Sequence, residues 1–291
     1  MKRWFITIMI LAVTLICCAC NTPEAQPQIA VTTMPIYTLT QSLCQDTPLK
    51  VELLVQENVS CLHDYTLTVR HMKLLENAEL IIISGGGLED FLDDILSEKK
   101  AVIDASSGIE LHCMESTKDD HHDHHHEQDP HYWLSVTRAR QMSQNIYNYL
   151  MQQYPQYSDY FDRNMEILNK EFDALADYAQ TQLAELTHRQ IITFHDGFSY
   201  MAEEFDLTIL RAIEEESGSE ASAKELIDIC NLVYDQQLPA IFSEKNGSDA
   251  SAKIICQETG CKLYYLDTGI SGNNYFDVMY ANIDTLKEAL G

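Results

Sequence analysis

The sequence predicts an α/β protein of two lobes, each a parallel sheet flanked by helices, joined by one long rigid linking helix. Three observations predict it. Short apolar runs alternate with segments of helical periodicity in two separate blocks, the pattern of βα units around parallel sheets. Between the blocks, residues 157–186 carry Phe161, Met165, Leu168, Phe172, Leu175, Ala179 and Leu183 at three- and four-residue steps with few breakers. The chain has 291 residues, which suits about two domains.

The elements follow in order. Residues 29–33 read as a strand, 36–44 as a helix and 51–55 as the next strand. Residues 69–78 read as a helix, with Met72, Leu75 and Ala78 on one side. Leu80-Ile-Ile-Ile-Ser84 is a strand stopped by Gly85, Gly86 and Gly87; 88–96 is a short helix and 101–104 a strand. Residues 112–130 are polar and histidine-rich, and read as a mobile loop. Helical signal returns over 136–154, and Pro155 marks a joint before the long helix. At ~1.5 Å per residue that helix is roughly 45 Å long, enough to pass from one lobe to the other. The second block reads strand 190–194, helix 198–204, strand 207–210, helix 221–234 capped by Ser219 or Ser222, strand 240–242, helix 248–259, strand 262–266 and helix 275–290. The expected division is signal 1–19, tether 20–28, N-terminal lobe 29–155, linking helix 156–188 and C-terminal lobe 189–291.

Composition narrows function. Hydrophobic residues make up 45% of the chain, enough for real cores, and the formal net charge is −26. That surface repels phosphate backbones and excludes a nucleic-acid partner. Lys2 and Arg3 precede an apolar run ending near Ile16, too short to span a bilayer but of signal-peptide length. Cys17-Cys18-Ala19-Cys20 and a polar stretch follow, resembling a bacterial lipobox. Ala19 favours Cys20 as the lipidated residue; Cys18, three residues after Leu15, is the alternative. The mature chain is then expected outside the cytoplasmic membrane, anchored by lipid, as a monomer. Six of the nine cysteines lie beyond this segment, at Cys44, Cys61, Cys113, Cys230, Cys256 and Cys261. Their spacing is no disulfide framework, although a Cys256–Cys261 bridge is open to an exported protein.

In parallel sheets ligands bind beyond the carboxyl ends of strands. His63 follows the second strand, His195 follows Phe194, Asp267 follows Leu266, and His131 follows the histidine-rich loop. Taken singly, each reads more readily as a cap, a turn residue or a packed ring than as a ligand. Their recurrence at equivalent positions points to a metal, and three imidazoles with one carboxylate suit tetrahedral Zn²⁺. Cys61 is a further nearby donor. His112, His121, His122, His124, His125 and His126, with interleaved acids, form an accessory array for weak binding of several ions. Glu214, Glu215 and Glu216 read as a solvated loop face. No His-Glu-x-x-His, Gly-x-Ser-x-Gly or phosphate-loop motif is present, and the protein is not expected to be an enzyme.

These residues resemble a known family, the metal-specific solute-binding lipoproteins of ABC transporters, in its zinc branch. The resemblance rests on Val31-Thr-Thr-Met-Pro-Ile-Tyr, His63-Asp-Tyr-Thr-Leu-Thr, Ala78-Glu-Leu-Ile-Ile-Ile-Ser-Gly-Gly-Gly-Leu-Glu and Asp129-Pro-His-Tyr-Trp-Leu-Ser. It continues through Phe194-His-Asp-Gly-Phe-Ser-Tyr, Ser222-Ala-Lys-Glu-Leu and Tyr264-Tyr-Leu-Asp, and spans nearly the whole mature chain. It implies His63, His131, His195 and Asp267 as ligands. A histidine at the third position, and the histidine-rich loop, imply Zn²⁺ rather than Mn²⁺. The chain departs from the family at Cys61-Leu62 and at the Thr-Gly-Ile-Ser after Asp267. Asp64 and Asp196 are expected to fix imidazole tautomers. The implied partner is an ABC permease, and the single long helix implies small lobe movements on release. The competing readings are an Mn²⁺ or Fe²⁺ receptor of the same architecture, an exported zinc hydrolase, and a surface adhesin or zinc store that uses only the loop.

Overall fold

The computed structural model describes residues 28–59, 62, 65–99, 101–113, 128–213 and 222–291. The lipobox cysteines, Cys61, His63, Asp64, His121, His122, His124, His125, His126 and the Glu214 to Glu216 run lie outside the described residues.

Two four-stranded parallel sheets form. In the first, β1 (Gln28–Val31), β2 (Lys50–Leu53), β3 (Leu80–Ile83) and β4 (Val102–Asp104) lie in the order β2-β1-β3-β4. In the second, β5 (Gln190–Thr193), β6 (Thr208–Ala212), β7 (Ala240–Glu244) and β8 (Lys262–Leu266) repeat that order as β6-β5-β7-β8. Val31 pairs with Leu53 on one side and Ile82 on the other, while Glu244 pairs with Leu266. The central strands β1 and β3 of the first sheet are covered on both faces and read as apolar runs, whereas the edge strand β2, KVEL, is partly exposed. The order of strand addition switches between β1 and β3 and between β5 and β7, and the carboxyl ends at such switch points are where parallel sheets present a ligand crevice.

The helices start where local chemistry permits. Helix α1 (Met34–Leu43) has proline in its first turn. Helices α2 (Val69–Asn77) and α3 (Asp93–Leu96) follow, the latter after a single 3-10 turn at Asp90–Leu92. The Ser135 side chain caps α4 (Val136–Gln153) by accepting from Arg138 N. After the 3-10 turn Pro155–Tyr157 comes the long α5 (Ser158–Leu183), and then the short α6 (Ser199–Glu204). Ser222 and Glu225 form a capping box on α7 (Ala223–Gln236). The last two helices are α8 (Ala250–Thr259) and α9 (Tyr275–Leu290). Among the described residues no helix is long and apolar enough to cross a membrane.

The long helix is shorter than its periodicity predicts. Its 26 residues span about 39 Å. The chain leaves it because the Thr187 and His188 N–H groups donate to the Leu290 carbonyl at 3.1 Å, a tertiary partner that periodicity cannot reveal. Strand β6 starts one residue later than expected and runs to Ala212.

One large apolar core runs from Ile29, Val31 and Ile82 of the first sheet to Phe242 and Leu266 of the second. Phe161, Leu168, Phe172 and Leu175 of α5 lie along it, and α5 packs on α1 and α4 at one end and α9 at the other. Each sheet also has a smaller core on its outer face, around Leu54, Leu75 and Ile81 in one and Ile192, Ile241 and Ile255 in the other. Trp133 pins the two halves together beneath the crevice. Its Nε1–H donates to the Thr268 carbonyl at 2.7 Å, and its own carbonyl accepts from Tyr275 Oη at 3.0 Å.

Candidate metal centre

An antiparallel bridge between Cys113 and Gln128 brings the chain back to the crevice after the histidine-rich segment. The following Asp129-Pro130-His131 turn then sets one imidazole. The His131 N–H and Nδ1–H both donate to Asp129 Oδ1, at 3.0 and 2.9 Å. A donating Nδ1 leaves the lone pair on Nε2, the atom that would bind a metal. Asp129 is itself held from the second lobe. Ser199 Oγ donates to its Oδ2 at 2.6 Å, and Tyr200 Oη donates to its carbonyl at 2.6 Å. Burial pushes the Asp129 carboxyl up, but the hydrogen bonds from His131 and Ser199 and the charge of His131 outweigh it. The group is held below the usual carboxylate range.

His195 emerges two residues past the end of β5. Its Nε2 lies 3.3 Å from His131 Nε2, with the ring planes 88° apart. Two ring nitrogens at this distance need a shared proton or a shared cation between them. Two nitrogens each ~2.0–2.1 Å from a tetrahedral Zn²⁺ stand ~3.3–3.4 Å apart, so the observed spacing fits the second case without movement. Gly197 makes the room. A Cβ there would lie 2.6 Å from His195 Nε2 and 2.9 Å from His131 Nδ1.

One carboxylate sits behind His195, and a second lies beside it. Glu244 ends β7, the strand beside β5, and its Oε2 is 3.9 Å from His195 Nδ1. Burial pushes the Glu244 carboxyl up to about 8; the Thr268 hydroxyl, donating at 3.0 Å, pulls it down, and the charge of Asp267 raises it again. Asp267 follows β8 and is buried, but both its oxygens are engaged. Lys245 Nζ donates to Oδ2 at 3.1 Å and Gly269 N–H to Oδ1 at 2.8 Å. Asn282 fixes the Asp267 backbone through both amide atoms.

The structure thus brings His131 and His195 together; Glu244 faces His195, and Asp267 neighbours Glu244 from the adjoining strand. Among the described residues no group of three or more His, Cys, Asp or Glu side chains is tight enough to hold an ion. His112, expected in the accessory array, packs against the second lobe. It stacks on Tyr200 at 4.0 Å, with Nδ1 2.9 Å from Ser199 Oγ and Nε2 3.1 Å from Glu203 Oε2. Asp129 and Glu244 escaped sequence reasoning as partners of the imidazoles. The i, i+2 spacing of Asp129 and His131 was a usable signal; nothing local marks Glu244.

Residues 29–289 match the family model described as zinc-uptake complex component A, periplasmic. The chain belongs to that family. The family is an uptake component, not an enzyme. Among curated relatives, the high-affinity zinc uptake system protein ZnuA of Bacillus subtilis is 26% identical over 99% of this chain and 98% of its own length. The zinc-binding lipoprotein AdcA of Streptococcus pneumoniae is 26% identical over 95% of this chain, which spans only 58% of AdcA. Among solved structures, the crystal structure of ZnuA superposes with a TM-score of 0.81 at 24% identity, covering 91% of this chain and 99% of that one. At that identity the likeness is one of fold.

Proposed function

We propose that this protein is an extracytoplasmic receptor that captures one Zn²⁺ in the crevice between its lobes and delivers it to an ABC importer. The proposed ligands are His63, His131, His195 and Asp267. The observation that carries the reading is the facing pair of Nε2 atoms at 3.3 Å, one with its tautomer set by Asp129. Neutral imidazoles are good donors for Zn²⁺, whereas Mn²⁺ prefers more oxygen ligands. Asp267 would bind the ion through a lone pair left beside its bonds from Lys245 and Gly269, and the cation would also favour ionised Glu244. Lipidation at Cys20 would tether the receptor to the membrane, and the histidine-rich loop would gather ions near the crevice. Membership of an uptake family and the zinc-binding names of its relatives support this reading.

The carboxylates Glu244 and Asp267 favour a second reading, an Mn²⁺ receptor of the same architecture. A competitive Zn²⁺ and Mn²⁺ titration of the chain lacking residues 116–127 separates them. One tight Zn²⁺ equivalent resisting excess Mn²⁺ is expected. Preference for Mn²⁺ would transfer the role to that ion. Loss of all tight binding would refute the crevice site and leave only the loop. His195→Glu is expected to shift preference toward Mn²⁺.

A further inference from the structure

Away from the crevice, the outer core of the second lobe holds three thiols on its rim. Cys230 lies on α7, Cys256 in the last turn of α8, and Cys261 just before β8. Cys256 Sγ and Cys261 Sγ are 3.4 Å apart. The turn between them is built to hold that approach. Gly260 adopts φ +77°, the left-handed conformation that ends the helix, and its N–H closes on the Cys256 carbonyl at 2.9 Å. The chain therefore doubles back, and the residue after the glycine returns over the last helical turn. Thr259 Oγ1, 2.7 Å from the Ile255 carbonyl, sits 3.2 Å from Cys261 Sγ and keeps that sulfur at the helix end. Bonded sulfurs stand ~2.05 Å apart, so ~1.4 Å of further approach is needed, within the reach of side-chain rotation. Both residues are partly solvent-accessible, unlike Cys44, which is buried. The family is periplasmic, and an exported compartment lets disulfides form and persist.

We propose that Cys256 and Cys261 are a dithiol that oxidises to an intramolecular disulfide, stapling the end of α8 to the start of β8. The oxidant is a small-molecule or protein disulfide. The Cys261 thiolate attacks one of its sulfurs and expels one thiolate, leaving a mixed disulfide. The Cys256 sulfur then attacks the Cys261 sulfur and expels the second thiolate. The two protein thiols lose two electrons and two protons, and the oxidant leaves as two thiols. Because the two sulfurs are held 3.4 Å apart, the second resolves the mixed disulfide intramolecularly, and the same products form whichever thiolate attacks first. Strand β8 is the one that leads to Asp267, so the staple fixes the amino end of a strand whose far end enters the crevice.

The test uses the full mature chain, purified under reductant and then equilibrated with oxidised glutathione. Cleavage after Glu258 separates the two cysteines. The expected result is that these fragments stay joined without reductant, have lost two hydrogens, and part on reduction. Cys230→Ser should keep the linked species, and Cys256→Ser and Cys261→Ser should each abolish it. Persistently free thiols at Cys256 and Cys261, or a Cys230–Cys261 link in the parent chain, would overturn the proposal. Because the readout is covalent, it is independent of whether the crevice binds Zn²⁺.

Discussion

Replacing Asp129 by Asn removes one charge at the point where the two lobes jointly hold a proposed ligand. In the parent, Asp129 Oδ1 accepts from His131 Nδ1 at 2.9 Å, and Oδ2 accepts from Ser199 at 2.6 Å. Hydrogen bonds to charged groups contribute ~1.5–3 kcal/mol net, against ~0.5–1.5 for neutral pairs. The Asn oxygen can still face Nδ1, so the change costs about 1–1.5 kcal/mol, or roughly 5–12-fold in affinity. If the amide turns its NH₂ toward Nδ1 instead, the proton moves to Nε2 and blocks the ligand atom. That takes the loss into the ~10–100-fold range typical of such partners. Ser199→Ala keeps the carboxylate and its bond to His131, and should cost only about two- to threefold. Competition with a chromophoric chelator at constant pH measures both, with unfolding midpoints as the control on folding. An Asp129→Asn protein that is folded and binds Zn²⁺ within twofold of the parent would refute the view that this carboxylate sets His131.

The remaining predictions address room, packing, pH and redox state. Gly197→Ala puts a methyl 2.6 Å from His195 Nε2, and should weaken Zn²⁺ by at least about 100-fold as both rings are displaced; unchanged titration would contradict the site. Trp133→Phe leaves the buried Thr268 carbonyl without its donor and should cost about 1–3 kcal/mol in urea unfolding. Glu89 is fully buried, accepts from Ser84 N–H, Gly85 N–H and Thr32 Oγ1, and is pushed by burial from 4.5 to about 7. A raised folded value means its contribution is complete below pH 4.5 and is lost as pH rises through about 7. The parent should therefore lose about 3 kcal/mol over that window relative to Glu89→Gln, read from unfolding at a series of pH values. Reductant should lower the melting temperature of the oxidised parent by a few degrees and leave that of Cys256→Ser unchanged.

Most of the fold was legible because its signals are local. Ile29 to Val31 and Leu80 to Ile83 are apolar on both faces, which only a covered parallel strand tolerates. The spacing of Phe161, Met165, Leu168, Phe172 and Leu175 needs no distant residue to be read as one helix face. His131, His195 and Asp267 were legible as residues at strand ends and in motifs, because a motif is a stretch of chain. Their partners were not. Glu244 reaches His195 only because β5 and β7 are neighbours in the sheet, and Ser199 reaches Asp129 across 70 residues of intervening chain.

By itself, then, the sequence determined the alternation of elements, the long helix between two sheets and the donor types that a soft divalent ion prefers. Periodicity and side-chain chemistry are properties of each residue and its near neighbours. The tertiary structure decided which nitrogen of His131 faces His195 and at what distance, that Lys245 pairs with Asp267, and that two cysteines face each other past a left-handed glycine. Each of these is a distance or a direction. Such quantities arise only when packing of the shared core brings separate strand ends into one crevice, or when a turn folds the chain back on itself.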